Sequence, residues 1–362
     1  MADGKAKTTT VPDGRPSEAS GSDEARGAPL GGRVFRPRNV ATFLLGLAVL
    51  YLVYRQFLGL DWGEAWTSVR GANAWLFALA FVVFYCSFPV RGLRWKVLLE
   101  NVGYSRETGR PVPSTSWLTR IMYLAWFANC VTVARLGDAY RAYLLKREAG
   151  VSFAVTLGTV LAERLLDLVV LAMMLCTGVL VVFGSWLPPE VAWALAASLI
   201  LSSVGVVGLL LLRRLGEVFE EVLPKRLRAH YSRLKRGLTG SFRGRLPLLV
   251  ALSVAGWVLE GVALYVTAAA VGVPVPVVGA LVVALAASLL STVPITPAGL
   301  GFTEVGMVVL LGWLGLDLSS ATAVTLLFRI INYWSIVALG FVLYVSLRNG
   351  ESSTTERKQL RG

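Results

Sequence analysis

Thr132-Val133-Ala134-Arg135-Leu136-Gly137 returns later in the chain as Thr296-Pro297-Ala298-Gly299-Leu300-Gly301. The two share Thr-x-Ala-x-Leu-Gly. Each is followed, 27 or 28 residues after its last Gly, by an arginine deep in an apolar stretch: Arg164 in Arg164-Leu165-Leu166-Asp167 and Arg329 in Arg329-Ile330-Ile331-Asn332. Small apolar residues match easily by chance, so one block would mean little. Two blocks in the same order at nearly the same spacing point to an internal duplication. In a membrane chain, paired interruptions of this kind are the best sequence pointer to a transport site.

The chain is a membrane protein by composition. Of 362 residues, 55% are hydrophobic and 16% charged, and mean hydropathy is +0.64. Apolar runs occur at 40–58, 73–90, 152–183, 188–212, 247–271 and 320–346, each near or above the roughly 17–25 residues a spanning helix needs. The ten-residue alternation of a transmembrane barrel is missing, so the fold class is all-α, a polytopic transmembrane helix bundle. Residues 1–38, rich in Gly, Ser, Thr, Pro and mixed charge, read as a disordered cytoplasmic tail. The membrane domain is expected over 39–348, followed by a short cytoplasmic tail at 349–362.

Charge sets the topology. The net charge is +13, and the basic residues sit beside hydrophobic spans. They suit anionic lipid headgroups and the positive-inside rule rather than nucleic acid. The basic segments 91–116 and 213–245 are therefore expected on the cytoplasmic side, and the sparsely charged 59–72, 184–190 and 272–278 outside. Counting crossings between these anchors leaves 117–150 and 277–316 with no net crossing, and these two segments carry the repeated motif. The expectation is six full spans plus two re-entrant helical hairpins, in halves of about 39–184 and 188–347 that form an inverted repeat. Both termini would face the cytoplasm of the cytoplasmic (inner) membrane. Two ordinary short spans in each segment satisfy the same count. A re-entrant hairpin implies a central cavity, because non-helical backbone at membrane depth must be buried or line water.

The candidate site residues follow from the cost of charge in lipid. Arg164 lies about 18 Å along its helix at 1.5 Å per residue, and Arg329 is similarly deep. Such charges face the bundle interior and find partners. Asp167, at i+3, is the expected partner of Arg164, with Glu163 and Asp138 in the same charge network. Asn332 takes the corresponding place after Arg329, which must look instead to Glu304, Asp138 or a ligand. The alternatives for these residues are a lock between the halves and a lipid-headgroup site, the latter drawing on Arg329, Arg164, Arg135, Arg141, Thr303 and Glu304. Gly137 marks the first break. Pro294, Pro297, Gly299 and Gly301 mark the second, and no regular helix survives that density of Pro and Gly. A half-helix starting near Thr303 would aim free N–H groups at an anion. Arg91 and Arg94 read as an interfacial anchor, with a phosphate contact as the alternative. A single His, His230, and three unpaired cysteines give no basis for a metal or other cofactor.

Arg91-Gly-Leu-Arg94-Trp95, Gly137-Asp138-x-x-Arg141, Glu163-Arg164-x-x-Asp167, Pro294-Ile-Thr-Pro297-x-Gly299-x-Gly301-x-x-Glu304 and Arg329-x-x-Asn332 occur in this order. Together they resemble the lysylphosphatidylglycerol synthase transmembrane-region family, also called flippase-like integral membrane proteins, over roughly 40–346. The best-understood members of that family join this module to a C-terminal soluble domain that aminoacylates phosphatidylglycerol. Only about 15 residues follow the last span here, so the resemblance implies lipid translocation without lipid synthesis. The sequence departs from the family at the first hairpin, where Val133-Ala134 stands for the usual Pro and Asp138 for Glu.

The leading functional expectation is a non-enzymatic flippase or transporter for a polar, anionic lipid, phospho- or isoprenoid-linked, with membrane lipids as partners. A membrane-embedded enzyme on lipid-linked substrates is one alternative. The other is an accessory subunit partnered with envelope-synthesis enzymes.

Overall fold

The computed structural model describes residues 62–104, 112–132, 136–184, 189–292 and 296–346, and among these every regular element is a helix. The expected span at 40–58, both tails, Arg135 and Pro294 lie outside the described residues. The elements are α1 (Trp62–Arg70), α2 (Ala74–Asn101), α3 (Thr115–Val131), α4 (Gly137–Ala149), α5 (Phe153–Phe183) and α6 (Pro189–Val222). Then follow α7 (Lys225–Gly240), α8 (Leu246–Val271), α9 (Val277–Leu290), α10 (Phe302–Trp313) and α11 (Leu318–Arg329). From Arg329 the last helix runs through a π-turn, Ile330–Trp334, and continues to Ser346.

Four of these helices are long and apolar enough to cross a bilayer: α2, α5, α8 and the continuous Leu318–Ser346. They match four of the six expected runs. The helix in the fifth, α6, carries a shorter apolar stretch at Ser202–Leu212. One boundary differs from expectation. The second span does not stop at residue 90; α2 carries its helix through Pro89 to Asn101. Arg91, Arg94 and Trp95 therefore sit in the body of a helix with their side chains buried. The basic 213–245 segment is also mostly helix, the end of α6 followed by α7.

The two motif-bearing segments are each a pair of short helices. α3, with 17 residues, and α4, with 13, meet at the first break; α9, with 14, and α10, with 12, flank the second. At 1.5 Å per residue none of the four spans a hydrocarbon core of about 30 Å. At the first tip, the Gly137 N–H donates to Asn129 Oδ1 at 2.9 Å. A Cβ on Gly137 would lie 1.9 Å from the Ala125 carbonyl oxygen, so only glycine lets α4 turn this closely onto α3. The described part of the second break holds a 3₁₀ turn, Pro297–Gly299, with Ala298 at φ 47°, Gly299 at 69° and Gly301 at 82°. A left-handed alanine is uncommon, and such strain persists only where the surroundings enforce it.

Two apolar clusters hold the bundle. One gathers the C-terminal part of α2 with α3, α5 and the start of α8; the other gathers the N-terminal part of α2 with α8, α9, α10 and α11. The changeover is visible along single helices. In α2, Phe84 and Phe88 belong to one cluster and Trp95 and Leu98 to the other, with Arg91 and Arg94 between them. In α8, Glu260 falls between Trp257 and Ala263 in the same way. α2 and α8 share the most extensive helix–helix contact.

Candidate functional site

The charges at this changeover form two stations, one near each break. Near the first, α2, α4 and α5 contribute three arginines and three acids. Arg94 pairs with both Asp167 oxygens, donates to Glu163 at 2.7 Å and to Ser253 Oγ at 2.7 Å. Arg141 donates to the other Glu163 oxygen at 2.7 Å and lies over the Trp95 ring, 5.2 Å from its centroid. Arg164 grips Asp138 through two bonds, Nε to Oδ2 at 2.9 Å and Nη2 to Oδ1 at 2.7 Å. Arg164 therefore does not take Asp167, the partner expected from i+3 spacing. Asp167 points across to α2, where Arg94 offers two donors in a planar fork that matches a carboxylate.

Near the second break there is one arginine and one acid. Glu304 Oε1 accepts from Arg329 Nε at 2.6 Å, while its Oε2 accepts from the Gly301 N–H at 2.7 Å. One carboxylate thus caps the start of α10 and holds the arginine, joining the break to α11. Asn332 sits at the edge of bonding distance, 3.5 Å from Arg329 Nη1. The π-turn that follows Arg329 brings Tyr333 beneath it, 4.8 Å from the guanidinium. Such single-turn π-bulges recur at functional sites. Arg329 Nη2 has no hydrogen-bond partner among the described residues, although the residue is only 4% exposed.

A further charge pair, Arg91–Glu260 at 2.5 Å, bridges α2 and α8. Arg91 lies between the Trp126 and Trp257 rings, 5.0 and 4.7 Å from their centroids, and the second Glu260 oxygen accepts from Ser288 at 3.0 Å. A desolvated guanidinium between two indole faces is a favourable cation–π arrangement.

These stations surround a cavity of about 270 Å³. Its wall is drawn from both breaks, with Asn129 and Thr132 from the first and Ser291, Thr296, Ala298 and Thr303 from the second. Arg91, Arg164, Arg329 and Glu260 supply its charge, and Asn332 and Tyr333 complete the side nearest α11. Of the residues singled out from sequence, Arg329, Arg164, Thr303, Asn332 and Arg91 line the cavity. Glu304 stands behind Arg329 as its acceptor and Asp138 behind Arg164. Arg141, Glu163 and Asp167 are buried in the first network, away from the wall, as is Arg94. Arg91 and Arg94 are not an interfacial anchor: both are at most 3% exposed, because α2 continues past residue 90.

Sequence reasoning missed the Trp126–Arg91–Trp257 stack and the Arg91–Glu260 pair. The signal for the pair was present: Glu260 is a lone acid within a 26-residue apolar helix, and a buried acid in a span must find a cation.

A family model described as the lysylphosphatidylglycerol synthase TM region matches residues 39–340. A UPF0104 membrane protein of Methanocaldococcus jannaschii is 33% identical over 228 residues, covering 62% of this chain and 95% of that protein. A UPF0104 membrane protein of Methanothermobacter thermautotrophicus is 23% identical over 84% of this chain and 92% of its own. The glycosyltransferase AglD of Haloferax volcanii is 31% identical over 133 residues, 37% of this chain and 20% of that protein.

Proposed function

Because this chain belongs to the lysylphosphatidylglycerol synthase transmembrane-region family, we propose that it is a lipid flippase or transporter for a polar, anionic headgroup. It would work without enzymatic activity, in the cytoplasmic membrane, with both termini inside. The observation that carries this reading is the cavity between two helix breaks, with Arg91, Arg164 and Arg329 all among its lining residues. Three arginines in the wall of one cavity favour an anionic ligand there. Lipid suits the size: about 270 Å³ admits a headgroup and leaves acyl or isoprenoid chains in the bilayer.

In this reading the two short-helix pairs are re-entrant hairpins, and the halves form an inverted repeat. Two cross-half correspondences support it. Asp138–Arg164 and Glu304–Arg329 are acid–arginine pairs separated by 26 and 25 residues, each following its own break. Arg91 and Glu260, which occupy corresponding places when Gly92 is matched to Gly261, pair with each other. Alternating access would then be a rocking of the halves about this cavity.

The test is Arg329→Gln in proteoliposomes carrying a labelled anionic lipid. Transport should fall to the protein-free rate while the thermal unfolding temperature changes little. A variant that transports normally, or a wild-type protein that moves no lipid, sinks the transporter reading. The partial similarity to the glycosyltransferase AglD favours one second reading, an action on lipid-linked sugars. Turnover of such a substrate by the purified chain would establish it.

A further inference from the structure

Away from the cavity, the 16 residues of α7, Lys225–Gly240, carry six cations and no acid. Lys225, Arg226, Arg233 and Arg236 are exposed. At 3.6 residues per turn they fall, with Ala229, within an arc of about 100°. Lys225 and Arg226 open the helix, where the positive end of the dipole disfavours cations. Neither an acid in that turn nor a capping side chain offsets them. Arg233 and Arg236, at i and i+3, repel each other. None of the four takes part in an ion pair among the described residues. Leu227, 55% exposed, stands beside these charges.

The opposite side of α7 fixes its depth. A Cβ on Gly237 would lie 2.2 Å from the Val155 carbonyl oxygen, and one on Gly158 2.4 Å from that of Leu234. The backbones of α7 and α5 therefore touch, at the first two turns of α5. The end of α7 meets the end of α2, where Asn101 Nδ2 donates to the Ser241 carbonyl at 2.8 Å. With 31 residues, α5 is about 46 Å long, enough to cross the hydrocarbon core and both headgroup layers. Its first two turns, and α7 beside them, lie among headgroups.

We propose that α7 is a docking surface for the anionic phospholipid headgroups of the leaflet in which it lies. Lys225, Arg226, Arg233 and Arg236 face the phosphate oxygens. Leu227 enters the boundary between headgroups and acyl chains, as apolar residues do in helices that lie in a membrane interface. The occupant is lipid because the face is cationic throughout and sits at headgroup depth, where a soluble acidic partner would first have to displace lipid. With the basic 213–245 segment inside, the leaflet is the cytoplasmic one, whose negative surface attracts each nearby Lys or Arg. Because α7 touches α5 through backbone, its docking fixes the near end of the helix that carries Glu163, Arg164 and Asp167. None of the four cations lines the cavity, so this surface is independent of what the cavity carries.

The experiment is hydrogen–deuterium exchange of the full-length protein in lipid nanodiscs, either of phosphatidylcholine alone or of an equal mixture with phosphatidylglycerol. Amides of 225–236 should exchange at least about fivefold more slowly in the anionic discs, the effect of one cation held at an anionic surface. High salt should remove the difference. Lys225→Gln, Arg226→Gln, Arg233→Gln and Arg236→Gln together should abolish it. Arg226→Lys, Arg233→Lys and Arg236→Lys together should keep it, because a surface of headgroups reads charge rather than guanidinium shape. The unfolding temperature in neutral discs checks that both variants are folded. Equal exchange of 225–236 in the two kinds of disc overturns the proposal, and so does a difference that survives the four-Gln variant. Slowing by inorganic phosphate in neutral discs as large as that by phosphatidylglycerol overturns it too, since the occupant would then be a free anion. Arg329→Gln, which tests the cavity, should leave the exchange difference in α7 unchanged, so failure of the transporter reading and failure of this one show separately.

Discussion

The two charge stations differ although the sequence marks them with the same motif. Beside the first break, Arg94, Arg141 and Arg164 meet Asp138, Glu163 and Asp167 in bonds that cross α2, α4 and α5. Beside the second, Glu304 is the one acid on Arg329 among the described residues, and half of that carboxylate is spent on the Gly301 N–H. The difference separates two uses of an expensive buried charge. Several arginines sharing several acids can lock helices together, at the risk of heavy loss if one member is removed. The single arginine on a shared acid is instead a lining residue of the cavity. The same motif thus stands beside a shared network in one place and beside a single ion pair in the other.

The largest expected effect tests the lock. Glu163 is 2% exposed and accepts from both Arg94 and Arg141. Glu163→Gln leaves two buried guanidiniums undercompensated and should cost about 3–5 kcal/mol of stability, seen as a large fall in the unfolding temperature in detergent. Glu304→Gln, which affects one arginine, should cost about 1–3 kcal/mol. Equal losses would erase the distinction between the stations. Next comes Gly137→Ala, which sets a Cβ against the Ala125 carbonyl oxygen. Overpacking at backbone should cost about 1–3 kcal/mol, and an unchanged unfolding temperature would show that α4 does not turn so tightly on α3.

A smaller effect checks the partner of Arg164. Double-mutant cycles should give a coupling of about 1–3 kcal/mol for Arg164 with Asp138 and less for Arg164 with Asp167. The reverse order would restore the i+3 pairing that the sequence suggests. That error is instructive. Spacing along one helix shows which side chains can meet, but here a better-shaped partner lay on α2, a contact 73 residues away. The spans of α2, α5, α8 and α11 were legible because hydropathy reports them directly, and both breaks were legible from Gly and Pro. Arg91 and Arg94 were misjudged because hydropathy falls where α2 turns to bury charge, which looks like the end of a span. The Trp126–Arg91–Trp257 stack leaves no local mark, because it depends on how α2, α3 and α8 approach one another.

The smallest stability change belongs to the substitution that sharpens the comparison most. Asn332 follows Arg329 at the spacing by which Asp167 follows Arg164, and its Oδ1 reaches only to 3.5 Å from Arg329 Nη1. Asn332→Asp adds a second acid to the station that has one, bringing it closer to the several acids of the first. Asn332 is only half-buried, so the new pair should shift stability by no more than about 1 kcal/mol. Its functional effect should be larger. A carboxylate beside Arg329 competes with an anionic headgroup for the same guanidinium and adds a like charge at the place where the headgroup must sit. Transport of a labelled anionic lipid in proteoliposomes should therefore fall well below wild type while the protein stays folded. If Asn332→Asp transports as well as wild type, the amide at 332 does not keep Arg329 open, and the contrast between lock and site would have to rest on Glu304 alone.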